Sequence, residues 1–320
     1  MKIKKIGVLT SGGDCPGMNA TINAIVRFAI QNGFEIVGIV RGYKGLINDE
    51  IRQLKLCDVK NIVGRGGTIL HSARCLEMKT KFGVQKALQT CKKHGIDGLV
   101  VIGGDGSFCG AQILSNEGIP CIGLPGTIDN DIAYTEYTLG YDTAVNTAVE
   151  MVDKLNDTVT SHDRCSVVEV MGRDAGYIAL DVAMSCGANF VVVPEVEFDK
   201  QSLIDKIKFD LKMGKKHFII VVAECILNVY DLAKEIEEQT QIESRATVLG
   251  HVQRGGSPSA KDRIIGAVLG CRAVELLANG IGDRVVGLKN GKIIDCEIND
   301  ALNMKKSFPK HLYDMVGCLF

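Results

Sequence analysis

The chain of 320 residues contains no tryptophan, only 5% aromatic residues and just 6 prolines. With so few rings, we do not expect bases or sugars to be held by stacking on aromatic side chains, and a sugar would be bound by polar groups instead. An excess of charge of one sign is also missing, since the formal net charge is −1 and the basic residues are scattered. This balance argues against a nucleic acid or an anionic membrane surface as the partner.

Long hydrophobic runs and disulfide patterns are absent as well. No apolar run approaches the roughly 20 residues of a membrane span, and no signal-peptide pattern precedes the first predicted strand. The 12 cysteines include no CxxC pair, and the closest two are Cys109 and Cys121. Cys121, Cys165 and Cys225 lie inside apolar runs, where cysteine behaves as a small hydrophobic residue. These features predict a cytoplasmic protein with reduced thiols.

What the sequence does contain is a regular alternation of short apolar runs and amphipathic stretches. The run Ile6–Leu9 leads through a glycine-rich turn into a helix with apolar residues at positions i, i+3, i+4, i+7 and i+8, and the strand Glu35–Val40 follows. Alternation of this kind predicts an α/β protein with mostly parallel sheets wrapped by helices. Because the pattern recurs after about residue 140, we expect two similar, Rossmann-like three-layer lobes with the active site in the cleft between them.

Glycines and polar side chains follow the predicted strands. Leu99–Ile102 is followed by GGDGS, and Ile119–Leu124 is followed by PGTIDND. Since the carboxyl ends of parallel strands meet at one edge of a sheet, these groups are predicted to converge there. The candidate site residues on this argument are Gly12–Asp14, Arg74, Asp105, Thr127, Asp129, Asp131, Arg173, Glu224, His251 and Arg254.

These residue types suit the transfer of a phosphoryl group. Glycine turns at helix starts and nearby arginines bind phosphate, although an ordinary strand-to-helix turn has the same composition. Asp105 could hold Mg²⁺ directly or through water. Asp129 or Asp131 could take a proton from an alcohol, and Thr127 and Arg173 could stabilise the group in transfer. Any one acid could instead be a helix cap, so the convergence of the set favours function.

The order and spacing of five motifs resemble the 6-phosphofructokinases of the short bacterial type along nearly the whole chain. The motifs are TSGGDCPGMN (10–19), GGDGS (103–107), PGTIDND (125–131), MGR (171–173) and GHVQRGG (250–256). The resemblance implies phosphoryl transfer from MgATP to the 1-hydroxyl of fructose 6-phosphate, the committed step of glycolysis. It also implies a larger ATP-binding lobe, 1–138 with 256–305, and a smaller sugar-phosphate and regulatory lobe, 139–255 with 306–320.

The resemblance assigns roles to individual positions. Asp129 matches the catalytic base, Thr127 and Arg173 match groups that stabilise the transferred phosphoryl, and Asp105 matches the Mg²⁺ site. The implied ATP contacts are Gly12, Tyr43, Arg74, Cys75, Gly104, Gly106 and Ser107. The implied sugar-phosphate contacts are Asp131, Met171, Gly172, Glu224, His251 and Arg254. Arg164 and Arg245 match arginines lent by a neighbouring subunit, which implies a homotetramer with shared sites.

Two glycines indicate which phosphoryl donor the enzyme uses. Relatives that use pyrophosphate typically carry Asp and Lys where this chain has Gly106 and Gly126. Both glycines favour ATP.

The family's effector site differs in this chain from the usual pattern of the family. Aligned without gaps, only Arg27 and Lys215 of six basic positions are retained and four are neutral, so we predict that control by ADP and phosphoenolpyruvate is weakened or lost. Neutral residues replace the basic positions at Asn23, Leu56, Asn156 and Met213, and Asn189 replaces a glutamate.

Alternatives to this reading remain at this stage. A pyrophosphate-dependent phosphofructokinase is disfavoured by the two glycines. A non-catalytic sugar-phosphate sensor is disfavoured because such proteins usually lose the base or the metal-binding acid, whereas Asp105, Thr127, Asp129 and Arg173 are all present. A dinucleotide-dependent oxidoreductase is disfavoured because no GxGxxG follows a predicted strand. An enzyme resembling the NAD kinases would share only the GGDG turn.

Overall fold

The computed structural model describes residues 3–319. The chain divides into two compact units. The first comprises the chain up to Ile128, Ile132–Thr143 and Arg254–Lys306, and the second comprises Asp129–Asp131, Ala144–Gln253 and the chain from Ser307 onward. The division predicted from the sequence, at residues 138, 255 and 305, differs by a few residues and omits the short excursion at Asp129–Asp131.

Strands and helices alternate along the described residues. The strands are β1 (Lys5–Thr10), β2 (Glu35–Ile39), β3 (Ile51–Gln53), β4 (Gly98–Gly103), β5 (Cys121–Pro125), β6 (Cys165–Val170), β7 (Phe190–Val192), β8 (Phe218–Ala223), β9 (Ser244–Val248), β10 (Arg284–Lys289) and β11 (Lys292–Glu297). The helices are α1 (Met18–Gln31), α2 (Gly42–Ile47), α3 (Lys81–His94), α4 (Asp105–Asn116), α5 (Tyr141–His162), α6 (Tyr177–Cys186), α7 (Lys200–Lys212), α8 (Val229–Thr240), α9 (Ala260–Ala278), α10 (Ile298–Asn303) and α11 (Lys310–Leu319). Short 3₁₀ turns occupy Leu76–Lys79 and Gly250–Arg254.

The first unit is built on a seven-stranded sheet in the order β11-β10-β5-β4-β1-β2-β3. Its inner strands pair in parallel, and the edge strands β3 and β11 are antiparallel to their neighbours. Every residue of β4 and β5 is buried, which explains why these strands read as uninterrupted apolar runs. The chain runs from β1 outward to β2 on one side and from β4 outward to β5 on the other. Such a switch between two parallel strands opens a crevice at their carboxyl ends.

The second unit has a four-stranded, fully parallel sheet in the order β7-β8-β6-β9. Its core packs α7 and α8 against β6 and β8 through aliphatic side chains that are almost fully buried. The carboxyl ends of β6, β8 and β9 lie on one edge of this sheet, so the residues that follow them are brought together. Both units therefore place their loops as the α/β pattern predicted.

Short elements and helix ends departed from expectation. The sequence did not indicate β3, whose three residues include two exposed side chains, nor α2, which begins after Arg41 in the left-handed region at φ +62°. Helix α5 runs to His162 through a mostly polar final segment, which lacks the apolar periodicity of its first turns. None of the helices in residues 3–319 is long and apolar enough to cross a membrane.

Candidate active site

Three loops lie side by side at the carboxyl ends of β1, β4 and β5 in the first unit. The Ser11 backbone N–H donates to the Ile102 carbonyl at 2.9 Å, and the Gly126 N–H donates to the Gly103 carbonyl at 2.9 Å. The Gly12 carbonyl accepts a hydrogen bond of 2.8 Å from the Ser72 hydroxyl. These bonds fix the glycine-rich turn after β1 beside the start of α4, as the strand-end argument predicted.

The start of α4 has the geometry of an anion site. Gly103 must be glycine, because a Cβ there would clash with the Ser107 hydroxyl and the Ser11 carbonyl. Asp105 and Gly106 are exposed in the first turn, while Ser107 is buried with its N–H bonded to the Gly104 carbonyl. A helix of 12 residues presents its positive end here. This arrangement suits the phosphate chain of a nucleotide.

Gly106 and Gly126 differ in their surroundings. A Cβ on Gly106 would meet no atom within 4 Å, so packing does not require glycine there. A Cβ on Gly126 would lie 3.0 Å from Ile102 Cγ2 and 3.3 Å from the Gly103 nitrogen. Close neighbours therefore favour glycine at position 126. At position 106 the space beside the backbone is open, so packing would also accept a side chain there. Of the two positions, Gly106 is the better candidate for selecting the phosphoryl donor.

The other expected nucleotide contacts are spread between core and surface. Tyr43 is 3% exposed, and its hydroxyl donates to the Ser107 carbonyl at 2.6 Å. Burial raises the pKa of Tyr43 well above its usual range, so the hydroxyl stays a donor at all physiological pH values. Arg74 is exposed and Cys75 is half-buried in the loop before α3. Tyr43 thus stabilises the Gly104–Ser107 turn from the core of the first unit.

The loop after β5 passes from the first unit to the second. Thr127 and Ile128 belong to the first unit, and Asp129–Asp131 belong to the second. The Thr127 carbonyl accepts a 2.7 Å hydrogen bond from the Thr138 hydroxyl. Asp129 is 5% exposed and Asn130 is 7% exposed, with Asn130 in the left-handed region at φ +50°. Asp129 is thus held with little freedom, as a positioned base requires.

In the second unit, two side chains hold the turn Met171–Arg173 after β6. The Gln253 Oε1 accepts from the Met171 N–H at 2.8 Å. The Glu224 Oε1 accepts from the Gly172 and Arg173 N–H groups at 3.1 and 2.7 Å. Three consecutive backbone donors are therefore bound by side chains that follow β8 and β9. With Arg173 at φ +60°, the turn directs a side chain that is 71% exposed outward.

Gln253 was missed by sequence reasoning, although it lies inside the GHVQRGG motif. Its side chain is completely buried, and its Nε2 has no hydrogen-bond partner among the described residues. The pattern offered no signal, because the partner N–H is 82 positions away in the chain. Its neighbours behave differently: His251 is exposed, and Arg254 donates to the Asp14 carbonyl at 3.4 Å within the first unit.

Acidic groups gather near this turn. Burial, with a further contribution from Glu224, raises the pKa of Glu169 above its usual value. Burial, helped by Glu195 and Asp131, raises the pKa of Tyr177 to about 12. The edge that carries Glu224 and Asp131 is therefore electronegative, and the exposed Arg173 supplies an opposite charge. A neutral hydroxyl donor such as a sugar fits these carboxylates well.

Arg164 and Arg245 meet at one carboxylate. Glu243 accepts from Arg164 Nε at 2.8 Å and from Arg245 Nη2 at 2.5 Å. The hydrogen bond from Arg164 lowers the pKa of Glu243. Arg245 also lies 3.7 Å from Glu237. The two arginines that the sequence analysis paired are thus neighbours on the second unit, and Glu243, which it did not name, joins them.

The side chains at the start of α4 are compatible with the Mg²⁺ ion that the sequence analysis expects at Asp105. No group of three or more His, Cys, Asp or Glu side chains within residues 3–319 could enclose an ion. Asp105 offers one exposed carboxylate at the start of α4. A single carboxylate beside an anion site fits Mg²⁺, which usually keeps several waters and binds through one or two carboxylates and substrate phosphates.

Comparison with known proteins agrees with this arrangement. A family model described as phosphofructokinase matches residues 5–277. This chain belongs to the phosphofructokinase family. A protein of Clostridium botulinum named ATP-dependent 6-phosphofructokinase is 53% identical over 317 residues, which cover 99% of each chain. A protein of Clostridium perfringens, ATP-dependent 6-phosphofructokinase 1, is 51% identical over 99% of each chain. The resemblance to the short bacterial phosphofructokinases is confirmed.

Solved phosphofructokinase structures share the fold. A phosphofructokinase from Saccharomyces cerevisiae superposes with a TM-score of 0.91 at 30% identity. The match covers 98% of this chain and 50% of the yeast chain. A pyrophosphate-dependent phosphofructokinase from Marinobacter aquaeolei matches with a TM-score of 0.86 at 20% identity, over 97% of this chain and 86% of the other. The predicted α/β class is confirmed, and the second likeness concerns the fold alone.

Proposed function

We propose that this phosphofructokinase-family chain transfers a phosphoryl group from ATP to the 1-hydroxyl of fructose 6-phosphate. The observation that carries the donor choice is the open, exposed Gly106 at the start of α4, beside the N–H groups suited to a phosphate chain. The relatives that are 51–53% identical bear the name ATP-dependent 6-phosphofructokinase, which supports the same donor and acceptor. The products are fructose 1,6-bisphosphate and ADP.

Each group has a separate task in this proposal. Asp129 takes the proton of the 1-hydroxyl as it attacks, while Thr127 and Arg173 hydrogen-bond and neutralise the phosphoryl group in transfer. Asp131, Met171, Gly172, Glu224, His251 and Arg254 orient the sugar phosphate. Gly12, Tyr43, Arg74, Cys75, Gly104, Gly106 and Ser107 bind or support the nucleotide. Bound at Asp105, Mg²⁺ would neutralise charge on the phosphates. Catalysis of this type depends mainly on positioning and electrostatics.

The wild-type protein is expected to form fructose 1,6-bisphosphate with ATP and to work poorly with pyrophosphate. The product should be identified directly, with kcat/KM measured for both donors at saturating fructose 6-phosphate. We expect the value for pyrophosphate to be at least about a hundredfold lower, since Asp and Lys are absent at positions 106 and 126. Comparable turnover with pyrophosphate would refute the donor choice. Binding of sugar phosphate without turnover would favour the non-catalytic sensor.

The quaternary arrangement is part of the proposal. Arg164 and Arg245 would each reach the 6-phosphate bound by a neighbouring copy, so a homotetramer would be needed for full affinity. Their clustering at Glu243 on one face of the second unit supports a joint role. A cytoplasmic location also belongs to the proposal, and the presence of the 12 cysteines as thiols supports it.

We propose further that ordinary effector control is weak. Asn189, Met213 and Lys215 line a cavity of about 210 Å³ in the second unit, together with Lys206 and Asp210. Lys206 is paired with Asp210 at 2.7 Å, and burial lowers the pKa of Lys215. Asn189 uses its side-chain oxygen to accept the Ile219 N–H. A cavity with so little net positive charge is a poor site for a di- or trianionic phosphate.

Phosphoenolpyruvate and ADP are therefore expected to leave the fructose 6-phosphate saturation curve nearly unchanged. Each compound should be titrated at several concentrations of the sugar phosphate, and the half-saturation point should move less than about twofold. The variant Met213→Lys adds one positive charge to the lining of this cavity and is the matched gain-of-response control. Strong sigmoidal inhibition of the wild type by phosphoenolpyruvate, relieved by ADP, would contradict the proposal.

A further inference from the structure

Asp262 is a buried carboxylate in the first turn of α9 that the proposed reaction does not use. Its side chain is 0% exposed. Oδ1 accepts from the Tyr137 hydroxyl at 2.6 Å and from the Gly140 N–H at 2.7 Å. Oδ2 accepts from the Thr143 N–H at 3.0 Å and from the Thr143 hydroxyl at 2.5 Å. All four donors come from one short segment, residues 137–143, which we call the support segment.

The support segment in turn holds the loop after β5. The Thr138 hydroxyl donates to the Thr127 carbonyl at 2.7 Å, and the Leu139 N–H donates to the Pro125 carbonyl at 2.8 Å. Gly126 and Leu139 also form an isolated parallel β-bridge. The two residues that touch Pro125–Thr127 thus lie between Tyr137 and Gly140, which are both bound to Asp262. Asp262 is therefore hydrogen-bonded directly to the segment that binds the Thr127 carbonyl.

Packing alone does not explain a carboxylate at this position. A buried charge is costly, and an apolar side chain of similar volume would fill the same space with less penalty. Four donors and the positive end of α9 offset that cost only if the support segment adopts one conformation. Asp262 therefore specifies geometry at a point where an apolar residue would allow several arrangements.

We propose that Asp262 is a positioning residue for the reaction: it fixes the support segment, which sets the backbone of Thr127 through Thr138 and Leu139. The inference rests on the proposed function, in which Thr127 contacts the phosphoryl group in transfer. Because the nucleotide and the sugar phosphate use other contacts, loosening this network should lower kcat and leave both KM values nearly unchanged.

The test removes one hydroxyl from the network, because Asp262→Ala would leave four buried donors unpaired and could prevent folding. Thr143→Val keeps the shape but deletes the hydroxyl, which donates to Asp262 and accepts the Ser259 N–H at 2.9 Å, and Thr143→Ser restores both bonds. We expect Thr143→Val to lower kcat at least about tenfold, with KM for ATP and fructose 6-phosphate within about twofold. Thr143→Ser should recover kcat to within about twofold of wild type.

Lys261 provides the control for a general loosening of the support segment. Its Nζ lies 4.5 Å from the Tyr137 ring centre and 3.8 Å from Asp142, and its side chain is 54% exposed. Lys261→Ala removes these surface contacts with the same segment while keeping the buried carboxylate, so its kcat should stay within about twofold of wild type. A drop in kcat equal to that of Thr143→Val would assign the effect to the segment's general stability and overturn the role of Asp262.

A second measurement does not depend on turnover. Amide hydrogen exchange of the peptide covering residues 125–131 should be faster in Thr143→Val than in wild type, and unchanged in Thr143→Ser and Lys261→Ala. If the wild type forms no fructose 1,6-bisphosphate, the proposed function fails while this comparison still decides the inference. Unchanged exchange in Thr143→Val, or a lower melting temperature with unchanged kcat, would overturn it.

Discussion

Replacing Asp129 by asparagine is expected to lower kcat about 10²–10⁴-fold, the range typical for loss of a general base. Asparagine keeps the size of the side chain and its capacity to accept hydrogen bonds, but it cannot take the proton of the attacking hydroxyl. Size matters here because Asp129 is only 5% exposed. Asp129→Ser should give a comparable loss of kcat, together with some loss of stability from the space that it leaves.

The comparison that isolates the base is Asp131→Asn. Asp131 is half-exposed two positions along the same loop, where the proposal gives it contact with the sugar phosphate. Its substitution should raise KM for fructose 6-phosphate more than it lowers kcat, whereas Asp129→Asn should change KM only modestly. Initial rates of fructose 1,6-bisphosphate formation decide the matter. If Asp129→Asn kept kcat within tenfold of wild type while Asp131→Asn did not, the base would be Asp131.

The fold was predictable wherever burial produces a recognisable apolar pattern in the local sequence. The run Leu99–Ile102 predicted β4, because a parallel strand covered on both faces is apolar throughout. Helix α2 shows no such pattern, because it is six residues long and contains two glycines. It packs chiefly against α3, which lies more distant in the chain. β3 is shorter still. Helices and strands of this length depend on tertiary packing more than on intrinsic propensity.

The candidate site divides in the same way. Glycine turns such as Gly103–Ser107 are visible in the sequence because the turn, the helix start and the strand end are contiguous. Gln253, Glu243 and Asp262 are not. Gln253 accepts from a group 82 positions away, Glu243 brings in Arg164 from 79 positions away, and the donors to Asp262 lie 119–125 positions away. Nothing in a single sequence links a side-chain acceptor to a donor at that separation. The supporting residues of the site therefore emerge only from the structure.

The donor argument shows how the structure can separate two equal predictions. From the sequence, Gly106 and Gly126 carried the same weight. The structure gives Gly126 close neighbours at 3.0–3.3 Å, so a lysine there would force Ile102 or the β4 backbone to move. Gly106 has open space. A test of donor choice should therefore change position 106 and leave 126 as it is.

Gly106→Asp is expected to lower kcat/KM for ATP by about a thousandfold without weakening the fold. A carboxylate about 4 Å from a phosphate charge is repelled by about 4 kcal/mol at the effective dielectric of a protein surface, which equals about three powers of ten. The same aspartate lies in the first turn of α4, where a negative charge stabilises a helix by about 0.3–1 kcal/mol. Activity with ATP and thermal stability should therefore change in opposite directions.

Gly106→Ala separates charge from bulk. A methyl group at this position would meet no atom within 4 Å, and alanine favours the helix over glycine by about 1 kcal/mol. We therefore expect its kcat/KM for ATP to stay within about threefold of wild type and its melting temperature to rise. Steady-state rates with ATP and with pyrophosphate, and melting curves, should be recorded for all three proteins. If alanine lowered kcat/KM as much as aspartate, contact volume and not charge at position 106 would govern the use of ATP.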